Sequence, residues 1–278
     1  MRTFFLAILL FAASAVSAAD GPCSSDAPCA VDQGEYFLAF PEGWDGVAPL
    51  PAILFYHGHN SSGLSPLGSR GLKESFLDRG YLLISPNGAA RPNGVRAWPA
   101  RPGHGGGRDD VAFTLAVLTD AAQRAPIRAD RIIVSGFSAG GSMAWMRGCY
   151  EGDRFAAVIS VAGAMRRPHP DDLCPNPVKR ALQIHGFADK QVPFEGRGIR
   201  DWHQGDVHET LSLFRRSNGC RSNPNDIEIG PEWRTRHWRT CRGGDLAYAE
   251  HDGGHGLPRG WTNLAVRWFE EGRLAQVE

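Results

Sequence analysis

The sequence has no long hydrophobic run after its N-terminus and no excess of charge of either sign. No later stretch approaches the roughly 20 apolar residues that a membrane-spanning helix needs. Lysine plus arginine and aspartate plus glutamate both number 30, so the formal net charge at pH 7 is zero. Such a chain has no global field to attract nucleic acid or an anionic membrane. We therefore expect neither nucleic acid nor a membrane as a partner. A small, weakly charged substrate is compatible with the equal numbers of positive and negative residues.

The N-terminus differs from the rest, because Arg2 precedes an apolar run at residues 3–16. This run is too short to span a bilayer, and the small residues Ser17-Ala18-Ala19 after it are typical of a cleavage site. We predict a signal peptide over residues 1–18, with cleavage after either alanine, and a secreted or periplasmic protein. Residues 19–278 contain no internal repeat or low-complexity linker, so we expect them to form one domain.

Cysteine is scarce, with six residues, but the number is even. In an exported chain this predicts up to three disulfides, although sequence alone leaves their connectivity open. Spacing favours Cys23 with Cys29 across a turn, Cys220 with Cys241 across a loop between a helix and a strand, and the remaining pair Cys149 with Cys174. Buried free thiols are the alternative for each pair.

Short apolar runs alternate with helix-like segments along the chain, which is typical of a parallel sheet covered on both faces. The predicted strands are residues 52–56, 81–84, 131–135, 156–161, 181–185 and 246–250. The predicted helices are residues 72–79, a helix capped by Asp109 or Asp110 that runs through Leu118, residues 206–214 and residues 261–269. The fold class is therefore a doubly wound, mostly parallel α/β sheet, with an irregular stretch at residues 192–205 that is suited to binding.

A buried strand leads into Gly136-Phe137-Ser138-Ala139-Gly140, and a helix-like pattern follows it. G-x-S-x-G in this context predicts a strained strand-to-helix turn that holds a serine hydroxyl clear of the sheet. The flanking glycines leave room for neighbouring backbone, and the helix N-terminus directs amide N–H groups at the site. We predict that Ser138 is a nucleophile, and the alternative is a glycine-rich turn with an incidental serine.

Two loops after later strands supply an acid and a histidine in the chain order that this motif requires. We predict that His255 is the general base and that Asp189 orients it. The alternative acids are Asp201, Asp206 and Glu195. The alternatives for His255 are a surface histidine and a metal site shared with His251 and Asp252. The two histidines lie four residues apart in a glycine-rich turn, which argues against zinc, so we expect no metal and no organic cofactor.

Tetrahedral intermediates of acyl transfer need two amide donors. We predict that the backbone N–H groups of Ala139 and His59 supply them, since His59 lies in the glycine-rich segment after the strand at residues 52–56. Trp98, Trp202 and Phe194 lie in loops expected to border the site and are candidate substrate contacts, with core packing as the alternative. Basic residues alternate at residues 233–239, which predicts a solvated sheet edge rather than a nucleic-acid surface.

These segments, in this order and after a signal peptide, resemble the secreted esterase family that includes polyhydroxybutyrate depolymerases and feruloyl esterases. The resemblance covers nearly all of the mature chain, and its matching segments are residues 57–58, 136–141, 185–193 and 253–255. It implies an α/β-hydrolase fold and a serine esterase that acts on hydroxyalkanoate oligomers or polymer.

Two features bear on the substrate that the resemblance implies. Leu257 stands where the family often has a tryptophan, and the chain has no linker or adsorption domain, so soluble oligomers or small esters are expected. The alternatives on the same fold are a feruloyl or acetyl-xylan esterase and, less favoured, a peptidase. A non-catalytic binding protein is the alternative of another class, although it would not need all these groups together. The oligomeric state stays open.

Overall fold

A computed structural model describes residues 23–24, 27–99, 108–200 and 202–274. The predicted signal peptide lies outside these residues, as does the alternative acid Asp201. Within them, no helix is long and apolar enough to cross a membrane.

The described residues form fourteen β-strands, ten of which make one central sheet. In chain order the strands are β1 (Cys29–Val31), β2 (Gly34–Ala39), β3 (Leu50–Tyr56), β4 (Leu82–Pro86), β5 (Ala89–Ala90), β6 (Arg96–Ala97), β7 (Ile127–Phe137), β8 (Ala157–Val161), β9 (Arg180–Gly186), β10 (Arg197–Ile199), β11 (Trp202–Gln204), β12 (Asp226–Ile229), β13 (Arg234–Trp238) and β14 (Asp245–His251). Strands β5 and β6 pair with each other, as do β10 and β11.

The large sheet has the order β1-β2-β4-β3-β7-β8-β9-β14-β13-β12. Its six central strands, from β4 to β14 in that order, run parallel. The strands at both ends of the sheet pair antiparallel. The central strands are buried on both faces, so they are continuous apolar runs in the sequence, as in the fully buried β8.

Six α-helices cover the two faces of the sheet in the described part of the chain. They are α1 (Leu64–Leu67), α2 (Arg70–Ser75), α3 (Asp110–Arg124), α4 (Ala139–Tyr150), α5 (Val207–Ser217) and α6 (Trp261–Glu271). Buried residues of α3, α4 and α5 belong to one core cluster, and those of α2 and α6 belong to a second. Helices on both faces of a largely parallel sheet confirm the predicted doubly wound α/β class.

Aspartate side chains fix the starts of two predicted helices. Asp109 Oδ1 accepts hydrogen bonds from the amides of Val111 at 2.9 Å and Ala112 at 3.1 Å. Asp206 Oδ1 accepts one from the amide of Glu209 at 2.9 Å. Each carboxylate satisfies amides that have no partner inside the helix. Asp206, an alternative acid in the sequence, is therefore the cap of α5.

The segment between Cys220 and Cys241 differs from its prediction. It contains β12 and β13 rather than a loop, and β13 is not a solvated edge, because it pairs with β12 on one side and β14 on the other. Thr235 and His237 of β13 are buried. Polar residues fill these inward positions, so the usual alternation of apolar and polar residues is missing from the sequence.

Three disulfides join the cysteines as the spacing favoured, in the pairs Cys23–Cys29, Cys149–Cys174 and Cys220–Cys241. The second ties the end of α4 to the segment before β9, and the third encloses β12 and β13. Each closes a loop of the chain and so restricts the unfolded state.

Candidate active site

Ser138 occupies a sharp turn between β7 and α4, with φ 56° and ψ −118°. A positive φ is rare for a residue other than glycine and costs on the order of 1–3 kcal/mol, so surrounding contacts must hold it. The amide of Ser138 donates to the carbonyl oxygen of Val161 at 2.9 Å, and its own carbonyl accepts from the amide of Ser142 at 2.9 Å. The end of β8 and the first turn of α4 therefore hold the serine in place.

The two glycines of G-x-S-x-G lie where backbone segments approach each other. A Cβ atom at Gly136 would lie 2.3 Å from the carbonyl oxygen of Gly140, and one at Gly140 would lie 2.0 Å from that of Tyr56. Neither position has room for a side chain. This crowding is the physical reason for the glycine spacing in the motif.

The side chains of Ser138, His255 and Asp189 form a hydrogen-bonded series. His255 Nε2 lies 2.9 Å from Ser138 Oγ, and His255 Nδ1 lies 2.8 Å from Asp189 Oδ2. Asp189 Oδ1 accepts two further bonds from the amides of Gln191 and Val192, both at 2.8 Å. The three predicted residues therefore meet, although they are separated by 66 and 117 positions in the chain.

The charge state of Asp189 decides the role of His255. Burial raises the pKa of Asp189, but the hydrogen bonds from His255 and from the backbone amides outweigh it, and the net pKa lies below the ordinary value. An ionised carboxylate at Oδ2 requires the proton of the imidazole on Nδ1. Nε2 is then free to accept the proton of the Ser138 hydroxyl.

The alternative acids that lie within the described residues do not contact His255. Asp206 caps α5, Asp201 lies outside the described residues, and no hydrogen bond or ion pair joins Glu195 to His255 among the residues described. Both ring nitrogens of His255 are engaged by Asp189 and Ser138, and Asp252 pairs with Arg234 at 2.6 Å, so in this structure these groups serve other contacts than the alternative metal site with His251.

A buried polar network that the sequence analysis missed supports the loop of Asp189. His185 Nε2 donates to the carbonyl oxygen of Val192 at 2.8 Å, and its Nδ1 accepts from Gln183 Nε2 at 2.9 Å. Gln183 Oε1 accepts in turn from the indole of Trp145 at 2.6 Å. Burial lowers the pKa of His185, which keeps the ring neutral in this network. The only sequence signal was a polar residue at each of two positions in a buried strand.

The loop at residues 57–63 is held by a second buried network. His57 Nδ1 donates to the carbonyl oxygen of Gly58 at 2.7 Å, and His57 Nε2 accepts from the amide of Gly88 at 2.9 Å. Asn87 Oδ1 accepts from the amide of Gly63 at 2.7 Å. None of the described residues accepts a hydrogen bond from the amide of His59. The His59 amide is therefore without an acceptor among the described residues, and Ala139, the other predicted oxyanion donor, is the first residue of α4.

Comparison with known proteins places this chain in a family. Residues 52–274 match the model of the alpha/beta hydrolase family. The chain belongs to that family. It is 29% identical over 237 residues to a probable feruloyl esterase C from Aspergillus niger, with 81% of this chain and 78% of the relative covered. It is 28% identical over 245 residues to the putative esterase NocK from Nocardia uniformis subsp. tsuyamanensis, with 80% and 68% covered.

Solved structures show the same fold at lower identity. An acetyl xylan esterase from Aspergillus awamori superposes on this alpha/beta hydrolase with a TM-score of 0.63, at 15% identity, covering 85% of this chain and 94% of that one. A carboxylesterase from Bacillus cereus gives a TM-score of 0.56, at 15% identity, with 86% and 95% covered. At such identity the likeness concerns the fold alone.

A cleft of about 320 Å³ lies beside Ser138 of the hydrolase. Its walls come from the segment after β3, the first two helices and the loops of the acid and the base. The lining residues are Phe55, His57, Gly58, His59, Ser61, Ser65, Pro66, Ser69, Leu72, Phe137, Ser138, Gln191 and Leu257. The structure therefore places Leu257, noted in the sequence as a departure, on the wall of the cleft.

The three aromatic residues suggested as substrate contacts do not line this cleft. Trp98 is 1% exposed and donates its indole N–H to the carbonyl oxygen of His57 at 2.8 Å, which is incompatible with a substrate contact in this structure. Phe194 packs against the ring of His185 at a centroid distance of 5.1 Å. The ring of Trp202 lies 4.8 Å from the guanidinium of Arg166. Burial of an aromatic residue in a loop depends on distant parts of the chain, which the sequence does not reveal.

Proposed function

We propose that this alpha/beta hydrolase is a serine carboxylic-ester hydrolase, in which Ser138 is the nucleophile, His255 the general base and Asp189 its orienting acid. The observation that carries the proposal is the hydrogen-bonded series from Asp189 to His255 to Ser138, at 2.8 and 2.9 Å. The relatives named as esterases support it. A binding protein on the same scaffold would need neither the strained serine turn nor the aligned series.

The geometry leads to a two-step reaction. His255 Nε2 takes the proton of Ser138 Oγ as the oxygen attacks the ester carbonyl carbon, and the amides of Ala139 and His59 stabilise the oxyanion. The imidazolium then gives its proton to the alcohol oxygen as the bond to the carbonyl carbon breaks. A water molecule, deprotonated by the same Nε2, then attacks the carbonyl carbon of the acyl-enzyme. As the bond from that carbon to Ser138 Oγ breaks and the acid leaves, the imidazolium returns the proton to Oγ.

The acyl group is a finer part of the proposal. The sequence resemblance pointed first to hydroxyalkanoate oligomers, whereas relatives from Aspergillus niger and Emericella nidulans are both named feruloyl esterase C. A neighbour in fold is an acetyl xylan esterase. These names favour esters of feruloyl groups as the substrate, and hydroxybutyrate oligomers are the second candidate.

We also propose that the enzyme acts outside the cytoplasm, as residues 19–278 after removal of a signal peptide. The three disulfides support this, because such bonds persist in oxidising compartments. N-terminal sequencing of the exported protein tests the cleavage after Ala18 or Ala19, and an exported protein that begins at Met1 would contradict it.

The decisive experiment compares wild type, Ser138→Ala and the control Ser62→Ala. A fluorophosphonate probe is expected to label wild type and Ser62→Ala but not Ser138→Ala, and the same pattern is expected for release of ferulate from methyl ferulate. Release of 3-hydroxybutyrate from soluble oligomers, measured in parallel, decides between the two acyl groups. Labelling of Ser138→Ala, or turnover that survives in it, would rule out Ser138 as the nucleophile.

A further inference from the structure

A second histidine lies beside the carboxylate of Asp189. His185, near the end of β9, has its Nε2 3.6 Å from Asp189 Oδ2, the same oxygen that accepts a hydrogen bond from His255 Nδ1 at 2.8 Å. A distance of 3.6 Å is too long for a hydrogen bond. The side chains of His185 and Asp189 are both fully buried, however, so a partial charge on Nε2 acts on the carboxylate with little screening by solvent. The sign of that charge depends on which ring nitrogen of His185 carries the proton.

The orientation of the neighbouring amide, that of Gln183, is fixed by two partners. The indole N–H of Trp145 can only donate, so the Gln183 atom 2.6 Å from it must be the oxygen. The carbonyl oxygen of Gly163 can only accept, and it lies 2.9 Å from Gln183 Nε2. Both partners independently require the same orientation. The amide nitrogen of Gln183 therefore faces His185 Nδ1, at 2.9 Å.

This amide in turn fixes the proton of His185. Nδ1 faces an N–H donor, so it must be unprotonated, and the neutral ring then carries its proton on Nε2. The carbonyl oxygen of Val192, which can only accept, lies 2.8 Å from Nε2 and requires the same tautomer. A second proton, on Nδ1, would set two N–H groups against each other. Partners on both nitrogens therefore keep His185 neutral, with an N–H on the nitrogen that lies beside Asp189.

The surroundings of the ring also oppose a second proton. The titratable groups around it are Asp189, His251, His255 and, in contact with the neighbouring ring of Phe194, His208 and Tyr248. Burial is the largest influence and lowers the pKa of His185, and His255 and His251 lower it further. The contacts with Val192 and Asp189 raise the pKa by less, so the net pKa lies below the ordinary value.

Given the proposed ester hydrolysis, on which this inference rests, we infer that His185 is a positioning residue whose fixed Nε2–H stabilises the charge on Asp189 Oδ2 in competition with His255. The partial positive charge of this N–H reduces the attraction of the carboxylate for an imidazolium at His255. Because His255 acts as a base only while it is neutral, His185 extends the hydrolysis to more acidic pH.

The tautomer of His185 can be observed directly by 15N NMR, with the spectrum of His185→Gln to assign its signals. In the wild type we expect a bare Nδ1 and a protonated Nε2 throughout the range from about pH 5 to 8, in which an ordinary histidine titrates. A proton on Nδ1, or a ring that gains a second proton in this range, would overturn the inference. This measurement needs no substrate.

Two substitutions separate the N–H of His185 from the bulk of its side chain. His185→Leu fills similar space without an N–H, whereas His185→Gln keeps an N–H that can reach Val192 and Asp189. With 4-nitrophenyl butyrate as substrate, the acidic limb of kcat/KM is expected to move to higher pH by about 0.5–1 unit in His185→Leu, the effect of losing one poorly aligned donor to a charged group. It should stay at the wild-type position in His185→Gln.

A matched control removes a different histidine from the same cluster. His208 is exposed and stacks on Phe194 at a centroid distance of 5.3 Å. His208→Gln is expected to leave the acidic limb unchanged. A merely structural role of His185 would affect His185→Leu and His185→Gln alike, so equal shifts in both, or no shift in His185→Leu, would overturn the inference.

The protonation of His255, followed by NMR, gives the same readout without turnover. Its midpoint should move to higher pH in His185→Leu but not in His185→Gln. The wild-type tautomer still tests the inference if His185→Leu does not fold. Absence of any turnover that depends on Ser138 would reject the proposed hydrolysis, whereas the two NMR measurements would still decide whether His185 acts on Asp189.

Discussion

The amide N–H of Phe187 donates a hydrogen bond to the carbonyl oxygen of His251 at 2.7 Å. A second bond runs from the amide of Ala188 to the carbonyl oxygen of Gly253 at 3.1 Å. These bonds join the loop of the acid to the loop of the base just beyond the ends of β9 and β14, which are neighbouring parallel strands. Backbone contacts, rather than the two side chains alone, therefore set the distance between the acid and the base.

Gly186→Ala should disturb this junction. A Cβ atom at residue 186 would lie 2.3 Å from the carbonyl oxygen of Gly253 and 2.5 Å from that of Gly254, so the two loops must separate. We expect a loss of about 1–3 kcal/mol of stability and a fall in kcat of at least about 10-fold. Urea unfolding and ester hydrolysis measure these. In the control Gly198→Ala, where a Cβ would meet nothing within 4 Å, both quantities should stay unchanged; similar losses in the two variants would refute the clash.

Asp189→Asn tests the orientation of the base. The amide group of asparagine can place an N–H opposite His255 Nδ1, which favours the tautomer with its proton on Nε2 and leaves no acceptor for the Ser138 proton. By comparison with the serine-protease triad, kcat should fall by about 10³- to 10⁴-fold while KM changes little. Steady-state kinetics on an activated ester measures this. A decrease of less than about 10-fold would show that Asp189 does not control the tautomer.

His57→Gln should change how stability depends on pH. Burial lowers the pKa of His57 from 6.5 to about 4. Between these two pH values the unfolded chain binds a proton at His57 and the folded chain does not. The stability from neutral His57 is complete above about pH 6.5 and declines by about 3 kcal/mol as the pH falls to 4. Denaturant unfolding at pH 7, 5.5 and 4 should show a shallower decline in the variant, whereas parallel curves would contradict the assignment.

Asp245→Asn probes a buried ion network away from the active site. Asp245 accepts hydrogen bonds from Arg180 Nε at 2.8 Å, His237 Nε2 at 2.7 Å and Trp268 Nε1 at 3.0 Å. Burial raises the pKa of Asp245, but the bonds from His237 and Arg180 outweigh it and the net pKa is lowered. The ionised Asp245 carboxylate therefore stabilises the fold fully above its pKa in the unfolded chain, about 4. This contribution is lost as the pH falls through the lower pKa of Asp245 in the folded protein.

We expect Asp245→Asn to cost about 2–4 kcal/mol at pH 7, with a smaller difference from wild type below about pH 4. Thermal or urea unfolding at several pH values measures this. The control Asp252→Asn removes a carboxylate whose side chain is 79% exposed, and it should leave stability unchanged. A difference between wild type and Asp245→Asn that grows on acidification would contradict the lowered pKa.

The sequence by itself was sufficient for the six parallel strands at the centre of the sheet and for the three residues that meet in the site. Parallel strands buried on both faces are continuous apolar runs, so β3, β7, β8 and β9 could be predicted from short windows. The turn around Ser138 has a local cause, since close backbone approaches at Gly136 and Gly140 demand glycine. The acid and the base could be assigned from chain order, because parallel strands deliver their following loops to one edge of the sheet.

Only the tertiary structure decided which side chains face the cleft and which polar groups are buried. His237 in β13 and Gln183 and His185 in β9 are polar residues inside the fold. Besides the bond between Gln183 and His185, their partners lie in another strand, a loop and a helix. Trp98 is buried rather than exposed to substrate, and Ser61 and Ser65 line the cleft in its place. Strand formation and tight turns depend on residues close in sequence, whereas burial and hydrogen-bond partnership depend on segments that meet only after the chain has folded.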